Sequence, residues 1–256
     1  MGRLVPAVTR AFDILERFLD HDGPLSAPEI VRQTGLPRTT VHELLATLVA
    51  RRYLVQESTG GYRLGVRLYQ LGSRYADQLD LASEGQQAAR RVAEACGETV
   101  HVAVLEGADV IYIAKVDSTH AVRMVSAAGR RLPAHCTAVG KMLLAALPDE
   151  ELRALVPEDA PLAALTPQSI TEPAALYAAL DDIRAEDRAF EDRESNLDVS
   201  CVAAPVRDET GKAVAALSIS VPTIRWNDER RTELVRLATE GAAELSARLG
   251  HRGAMG

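Results

Sequence analysis

The run Thr34-Gly35-Leu36-Pro37-Arg38-Thr39-Thr40-Val41-His42-Glu43-Leu44-Leu45 ends one short helix and opens another, with only a tight turn between them. Glycine ends helices in a left-handed turn, and proline sits comfortably at a helix start, so Gly35 and Pro37 bracket the junction. Working outward, Ser26-Ala27-Pro28-Glu29 has capping-box spacing: the Ser side chain accepts from the third amide and the Glu side chain returns to the cap. That predicts a helix running through Ile30-Val31-Arg32-Gln33. Before it, Ala11, Ile14, Leu15, Phe18 and Leu19 form one apolar helical face that stops at Asp20-His21-Asp22-Gly23-Pro24. After it, Val41, Leu44, Leu45 and Leu48 share a face, so at about 100° per residue the opposite face displays Thr39, Glu43 and Ala46, with His42 at its flank. This is helix-turn-helix spacing. Arg38, Thr39, Thr40 and His42 are donors of the size that a recognition helix presents to base edges and phosphates. A three-helix cap with a merely solvated polar face is the alternative. The next stretch favours DNA: Tyr53-Leu54-Val55-Gln56-Glu57 and Gly61-Tyr62-Arg63-Leu64-Gly65 alternate on either side of Ser58-Thr59-Gly60, a hairpin that reads as a wing with Arg63 as its cation.

The 256 residues are enough for one large domain or two ordinary ones, and 47% apolar with 25% charged residues excludes whole-chain disorder and any need for disulfides or metal to build a core. Cys96, Cys136 and Cys201 are odd in number without CxxC spacing, which points to a reducing, cytoplasmic location. No apolar run approaches the roughly 18 residues of a membrane span, and Met1 to Pro6 shows no signal-peptide core. A net charge of −7 argues at first sight against nucleic acid, because phosphate affinity comes from Lys and Arg. The charge is uneven, however. Residues 1–76 hold ten Arg and seven Asp or Glu, a balance of +3, which leaves −10 for the remainder. Arg10, Arg38, Arg51, Arg52 and Arg63 are the cations available for phosphate contact, and binding through them is expected to be strongly salt-dependent.

From Val66 to Gly97 helical periodicity continues through Leu68, Leu71, Tyr75, Leu79, Ala89, Val92, Ala93 and Cys96, predicting one or two connecting helices broken near Leu81 to Gly85. Beyond them, Thr99 to Leu105 and Val110 to Val116 read as a hairpin and Ala121 to Ser126 as a third strand. Ser200 to Val206 and Ala213 to Val221 read as a further hairpin, with a closing helix from Asn227 to Leu249. The pattern is α+β with an antiparallel sheet.

Ala11-Phe12-Asp13-Ile14-Leu15, Gly35 to His42 and Tyr62-Arg63-Leu64-Gly65 resemble the winged helix-turn-helix of IclR-family transcriptional regulators. Pro133-Ala134-His135-Cys136-Thr137-Ala138-Val139-Gly140-Lys141 and Cys201-Val202-Ala203-Ala204-Pro205-Val206 resemble that family's effector-domain signatures, so the likeness spans roughly residues 5 to 250 in order. The resemblance implies a winged helix-turn-helix domain over residues 1–65, a linker helix over 66–80, and a GAF-like α/β effector-binding and oligomerisation domain over 81–250. It implies a regulator, most often a repressor, that binds double-stranded operator DNA as a homodimer or dimer of dimers. Its affinity would respond to a small carboxylate-bearing or aromatic metabolite. DNA contacts are expected from Arg38, Thr39, Thr40, His42, Arg63 and Arg10. Effector contacts are expected from Met124, Ala138, Val139, Glu191 in a loop, Cys201, Ser218 and Ser220. Where a carboxylic-effector member has Asp in that loop, this chain has Glu191, one methylene longer.

Elementary chemistry agrees with such a pocket. A strand feeding a helix through Ala134 to Ala138 leaves amides unpaired at the helix start, where partial positive charge favours an anion. Ser218 and Ser220 share a strand face by period two. Each residue also has a structural reading: Cys201 and Met124 as core filler, the serines as sheet residues satisfied by backbone. His135 and Cys136, adjacent and so facing opposite ways in any strand, make a poor metal pair, and neither metal nor cofactor is expected. The competing class is a GAF-like enzyme with Cys136 or Cys201 as nucleophile and His101 or His135 as base. It is the weaker one, since no nucleotide loop, HExxH or GxSxG accompanies those residues, and no catalytic activity is expected.

Overall fold

Three short helices lead the chain: α1 (Pro6–Glu16), α2 (Ala27–Thr34) and α3 (Arg38–Ala50). The hairpin β1 (Leu54–Gln56) and β2 (Tyr62–Leu64) and then α4 (Val66–Gln78) follow them. The computed structural model describes residues 4–19, 21–78, 80–120 and 129–251, and the chain divides into two units at Leu79 and Asp80. In the first unit, Gly35 ends α2 at φ 66°, a conformation that favours glycine, and its N–H donates to Val31. The Glu29 carboxylate accepts from both the Ser26 N–H at 2.9 Å and the Ser26 hydroxyl at 2.6 Å. Ile14, Phe18, Leu25, Ile30, Val41, Leu45, Leu48, Leu54 and Tyr62 form one core. Leu19 does not join it: it lies beyond the end of α1 and is 73% exposed. Leu25 exchanges backbone hydrogen bonds with Tyr62, which fastens the hairpin to the strand-like entry of α2.

The second unit starts with α5 (Asp80–Cys96), so residues 81–85 lie within a helix and not at a break. It continues through β3 (Thr99–Glu106), β4 (Asp109–Val116), β5 (Arg131–Pro133), α6 (Ala138–Ala145), α7 (Asp149–Leu155), α8 (Pro173–Glu186), β6 (Ala189–Asp192), β7 (Val199–Arg207), β8 (Ala213–Pro222) and α9 (Asp228–Arg248). The expected strand over 121–126 lies outside the described residues. The six strands pair antiparallel in the order β5-β4-β3-β8-β7-β6. α5 and α9 cover one face, over Val100, Val102, Val202, Ala204, Leu217 and Ile219. α6 and α8 cover the other, over Ala103, Tyr112, Cys201, Ala203 and Ala216. With both faces covered, β7 and β8 are nearly continuous buried runs rather than alternating ones.

The start of β3 is tied to the turn after β8 by a bidentate pair. Arg225 Nε and Nη2 reach the two Glu98 oxygens at 2.8 and 2.6 Å, and Glu98 is only 1% exposed. Removing one partner of such a pair leaves a buried charge. Arg225→Ala is expected to destabilise the second unit by about 3 kcal/mol in denaturant unfolding, with Arg225→Ala/Glu98→Gln recovering part of it; an unchanged midpoint in the single variant would mean that water replaces the guanidinium.

Candidate functional site

Two surfaces concentrate the chemistry. On α3, Val41, Leu45 and Leu48 turn inward, and Arg38, Thr39, His42, Glu43, Ala46 and Thr47 are exposed, while Thr40 is half-buried. Arg10 is exposed on α1. Arg63 projects from β2 but is not a free cation: its Nε lies 2.5 Å from Glu57 Oε1 across the hairpin. The structure thus brings Arg38, Thr39, Thr40 and His42 together on the first turns of one helix, with Arg63 on the wing.

The second surface is the sheet face beneath α6. β7 and β8 place Cys201, Ser218 and Ser220 on that face by simple alternation, opposite Val202, Leu217 and Ile219. Glu191 sits on the edge strand β6, not in a loop, directly across from Cys201; Cys201 in turn faces Ser220. His101 faces Ser218 from β3. A polar stripe therefore runs across four adjacent strands inside an otherwise apolar layer. Cys201 Sγ lies 3.2 Å from Ser220 Oγ, and Ser220 Oγ lies 3.4 Å from His101 Nδ1. The His101 ring packs on Tyr112, with centroids 4.6 Å apart. Met124, the remaining expected effector contact, lies outside the described residues.

Over the stripe, Pro133 passes into a 3-10 turn, Ala134–Cys136, and Thr137 caps α6 by accepting from the Gly140 N–H at 3.0 Å. A Cβ on Gly140 would fall 2.2 Å from the Ala134 carbonyl oxygen, so the helix can start against that turn only with glycine there. The Ala138 and Val139 amides are left without an acceptor among the described residues, although both residues are about 1% exposed. Because residues 134–136 form a turn and not a strand, His135 and Cys136 do not point apart: His135 Nε2 lies 2.8 Å and Cys136 Sγ 3.8 Å from the same Ala163 oxygen. No group of three or more His, Cys, Asp or Glu able to hold a metal occurs among the described residues.

Burial sets the electrostatics. It holds the His101 imidazole at about 3, helped by the Lys115 charge, so the ring is neutral at physiological pH. It pushes the Cys201 and Cys136 thiols up, so neither is poised as a thiolate nucleophile. Burial also pushes the Glu191 carboxyl up, against hydrogen bonds from Cys201 and from the Ser195 N–H and hydroxyl, which reach Oε1 at 2.9 and 2.8 Å. Next to it, Lys141 Nζ meets Glu194 Oε1 at 2.5 Å in a buried pair, and Glu194 Oε2 has no partner among the described residues. Tyr112, Glu194 and Ser195 escaped the sequence reading. Period two along β3 and β8 could have placed His101 beside Ser218, but the shift in β3–β4 register at Val102/Ala103 hid Tyr112.

Two family models match the chain: "IclR helix-turn-helix domain" over residues 7–58 and "Bacterial transcriptional regulator IclR C-terminal" over residues 73–247. Among curated proteins, the HTH-type transcriptional regulator KdgR of Escherichia coli (strain K12) is 32% identical, covering 96% of this chain and 94% of its own. The transcriptional repressor IclR of the same organism is also 32% identical, over 96% and 90%. Among solved structures, an IclR homolog from Microbacterium hydrocarbonoxydans complexed with 4-hydroxybenzoate superposes with a TM-score of 0.84 at 27% identity, covering 95% of this chain and 98% of that one.

The raised Glu191 carboxyl makes stability depend on pH. The folded chain holds that proton more tightly than the unfolded chain, whose carboxyl titrates near 4.5, so the contribution is full below 4.5 and lost as pH rises through the folded value. Glu191→Gln keeps an acceptor for Ser195 and cannot ionise. It is expected to melt with the wild type near pH 4.5 and above it at pH 8, by about 2–4 °C for each kcal/mol recovered; parallel melting curves across that range would show that the carboxyl does not titrate between them.

Proposed function

The chain belongs to the IclR family of bacterial transcriptional regulators, and from that premise we propose how its parts divide the work of a ligand-responsive DNA-binding regulator. Residues 1–65 form the DNA-reading head, 66–80 a connecting helix, and 81–250 the effector-binding and oligomerising part. α3 enters the major groove, with Arg38, Thr39, Thr40 and His42 against bases and phosphates and with Arg10 and Arg63 on the backbone. A small acid lies at the start of α6. Its anionic end rests on the Ala138 and Val139 amides, and its body lies against Glu191, Cys201, Ser218 and Ser220, with Met124 closing the set. The observation that carries this reading is the pair of buried amides without an acceptor among the described residues, set over a polar stripe that a purely structural sheet would not need. 4-Hydroxybenzoate, bound by the relative, is an acid of this kind: carboxylate at one end, hydroxyl at the other.

A homodimer, or dimer of dimers, supplies two heads for a two-fold operator, and effector binding shifts the population between arrangements of those heads. Exposed apolar side chains in the first unit support it: Val5, Val8 and Phe12 recur at helical spacing, and Val66 and Tyr69 lie open on α4. No helix among the described residues is long and apolar enough to cross a membrane, and the three free cysteines suit a cytoplasmic location. The role is not catalytic, in keeping with relatives that are named regulators and with the raised thiols.

A panel of small carboxylic acids including 4-hydroxybenzoate, screened by thermal shift, tests the site: a true effector at 100 times its dissociation constant adds about 2.7 kcal/mol. Ser218→Ala/Ser220→Ala is expected to abolish that shift and the effector's action on operator DNA while leaving operator binding intact. An unaltered response removes this strand from the site. Arg38→Ala or His42→Ala is expected to weaken operator binding at least tenfold in a gel-shift titration with effector affinity unchanged; equal loss of both would mean unfolding.

A further inference from the structure

The exposed face of α3 holds one group at odds with a surface that meets phosphates. Glu43 lies midway along the helix, exposed, in a first unit whose excess charge is positive. Its neighbours one turn away are Thr39, Thr40, Ala46 and Thr47, none basic, and among the described residues its carboxylate has no ion-pair or hydrogen-bond partner. Thr47 is turned back onto the helix, its hydroxyl donating to the Glu43 backbone carbonyl at 2.8 Å, and Ala46 is short. Glu43 is thus the longest acceptor on the middle of the face, with no partner for its carboxylate among the described residues. A carboxylate brought toward DNA is repelled by phosphates and by guanine O6 and N7 and thymine O4. The major groove offers it only two partners, the exocyclic amino groups of cytosine and adenine. Adenine N6 is flanked on both sides by acceptors, its own N7 and the thymine O4. Cytosine N4 is flanked by one, the guanine O6, with a C–H on its other side.

We propose that Glu43 is a specificity-determining residue of the recognition helix: its carboxylate accepts a hydrogen bond from the N4 amino group of a cytosine in each half-site and rejects guanine and thymine there. The proposal rests on the DNA-reading role of the head. It also accounts for a negative charge in the one place where it weakens non-specific binding: off its cytosine, Glu43 is a desolvated, unpaired anion, and on it a satisfied one.

Selection of full-length protein on a pool of random DNA duplexes, followed by sequencing, tests this with the wild type, Glu43→Ala and Glu43→Gln, each first shown to melt like the wild type. The wild type is expected to enrich a two-fold site with one cytosine per half-site whose replacement by thymine or guanine costs about 10-fold in binding. Glu43→Ala is expected to lose preference at that position alone, keep the rest of the motif, and bind random duplex more tightly. Glu43→Gln is expected to move the preference to adenine, whose N6 and N7 match an amide. An unchanged motif from both variants, or a variant that loses every position equally, overturns the assignment. A folded wild type that enriches no sequence overturns the DNA-reading role itself, and the proposal with it.

Discussion

Buried hydrogen-bonding groups must find partners, and this constraint organises the second unit around the first turn of α6. Thr137 satisfies one early amide and Gly140 lets the helix begin hard against the Ala134 turn, yet among the described residues the buried amides of Ala138 and Val139 have no acceptor. Leaving such donors dry costs on the order of 1–3 kcal/mol each. Opposite them the sheet spends four positions on Glu191, Cys201, Ser220 and Ser218 that Val or Ala would fill more stably. Under the proposed function, these are the groups that a bound acid would satisfy.

The charge distribution has the same logic at longer range. The positive first unit and the strongly negative second unit keep attraction to phosphate local to the part that reads DNA. If the effector is an acid, as proposed, the net charge of the second unit would repel it, and its binding would have to come from local amides and hydrogen bonds rather than from steering. The Lys141–Glu194 pair fits this arrangement, since it places a cation near the site already neutralised by its own carboxylate.

Local signals made the head legible. Gly35, Pro37, Ser26 with Glu29 and the alternation around Ser58-Thr59-Gly60 each act within a few residues, and the helices and hairpin lie where those signals put them. The α9 helix and the β3–β4 and β7–β8 hairpins were legible for the same reason. What could not be read was set at a distance. Leu19 has the right spacing for the first helix face, but the helix ends before it. Glu191 reads as a loop residue because a four-residue edge strand gains its identity only from β7 beside it. His135 and Cys136 mislead because adjacency implies opposite faces in a strand and not in a turn.

The ion pair between Arg63 and Glu57 bears on how the wing meets its target. When a guanidinium takes up a phosphate, the DNA sheds a condensed cation, and that gain is what makes most such contacts weaken in salt. Here the guanidinium already has a carboxylate counterion supplied by the chain itself. Under the proposed DNA-reading role, Arg63 could reach a phosphate only by exchanging one anionic partner for another, so the wing would give up this exposed pair, worth on the order of 0–1 kcal/mol, before it gains from the contact.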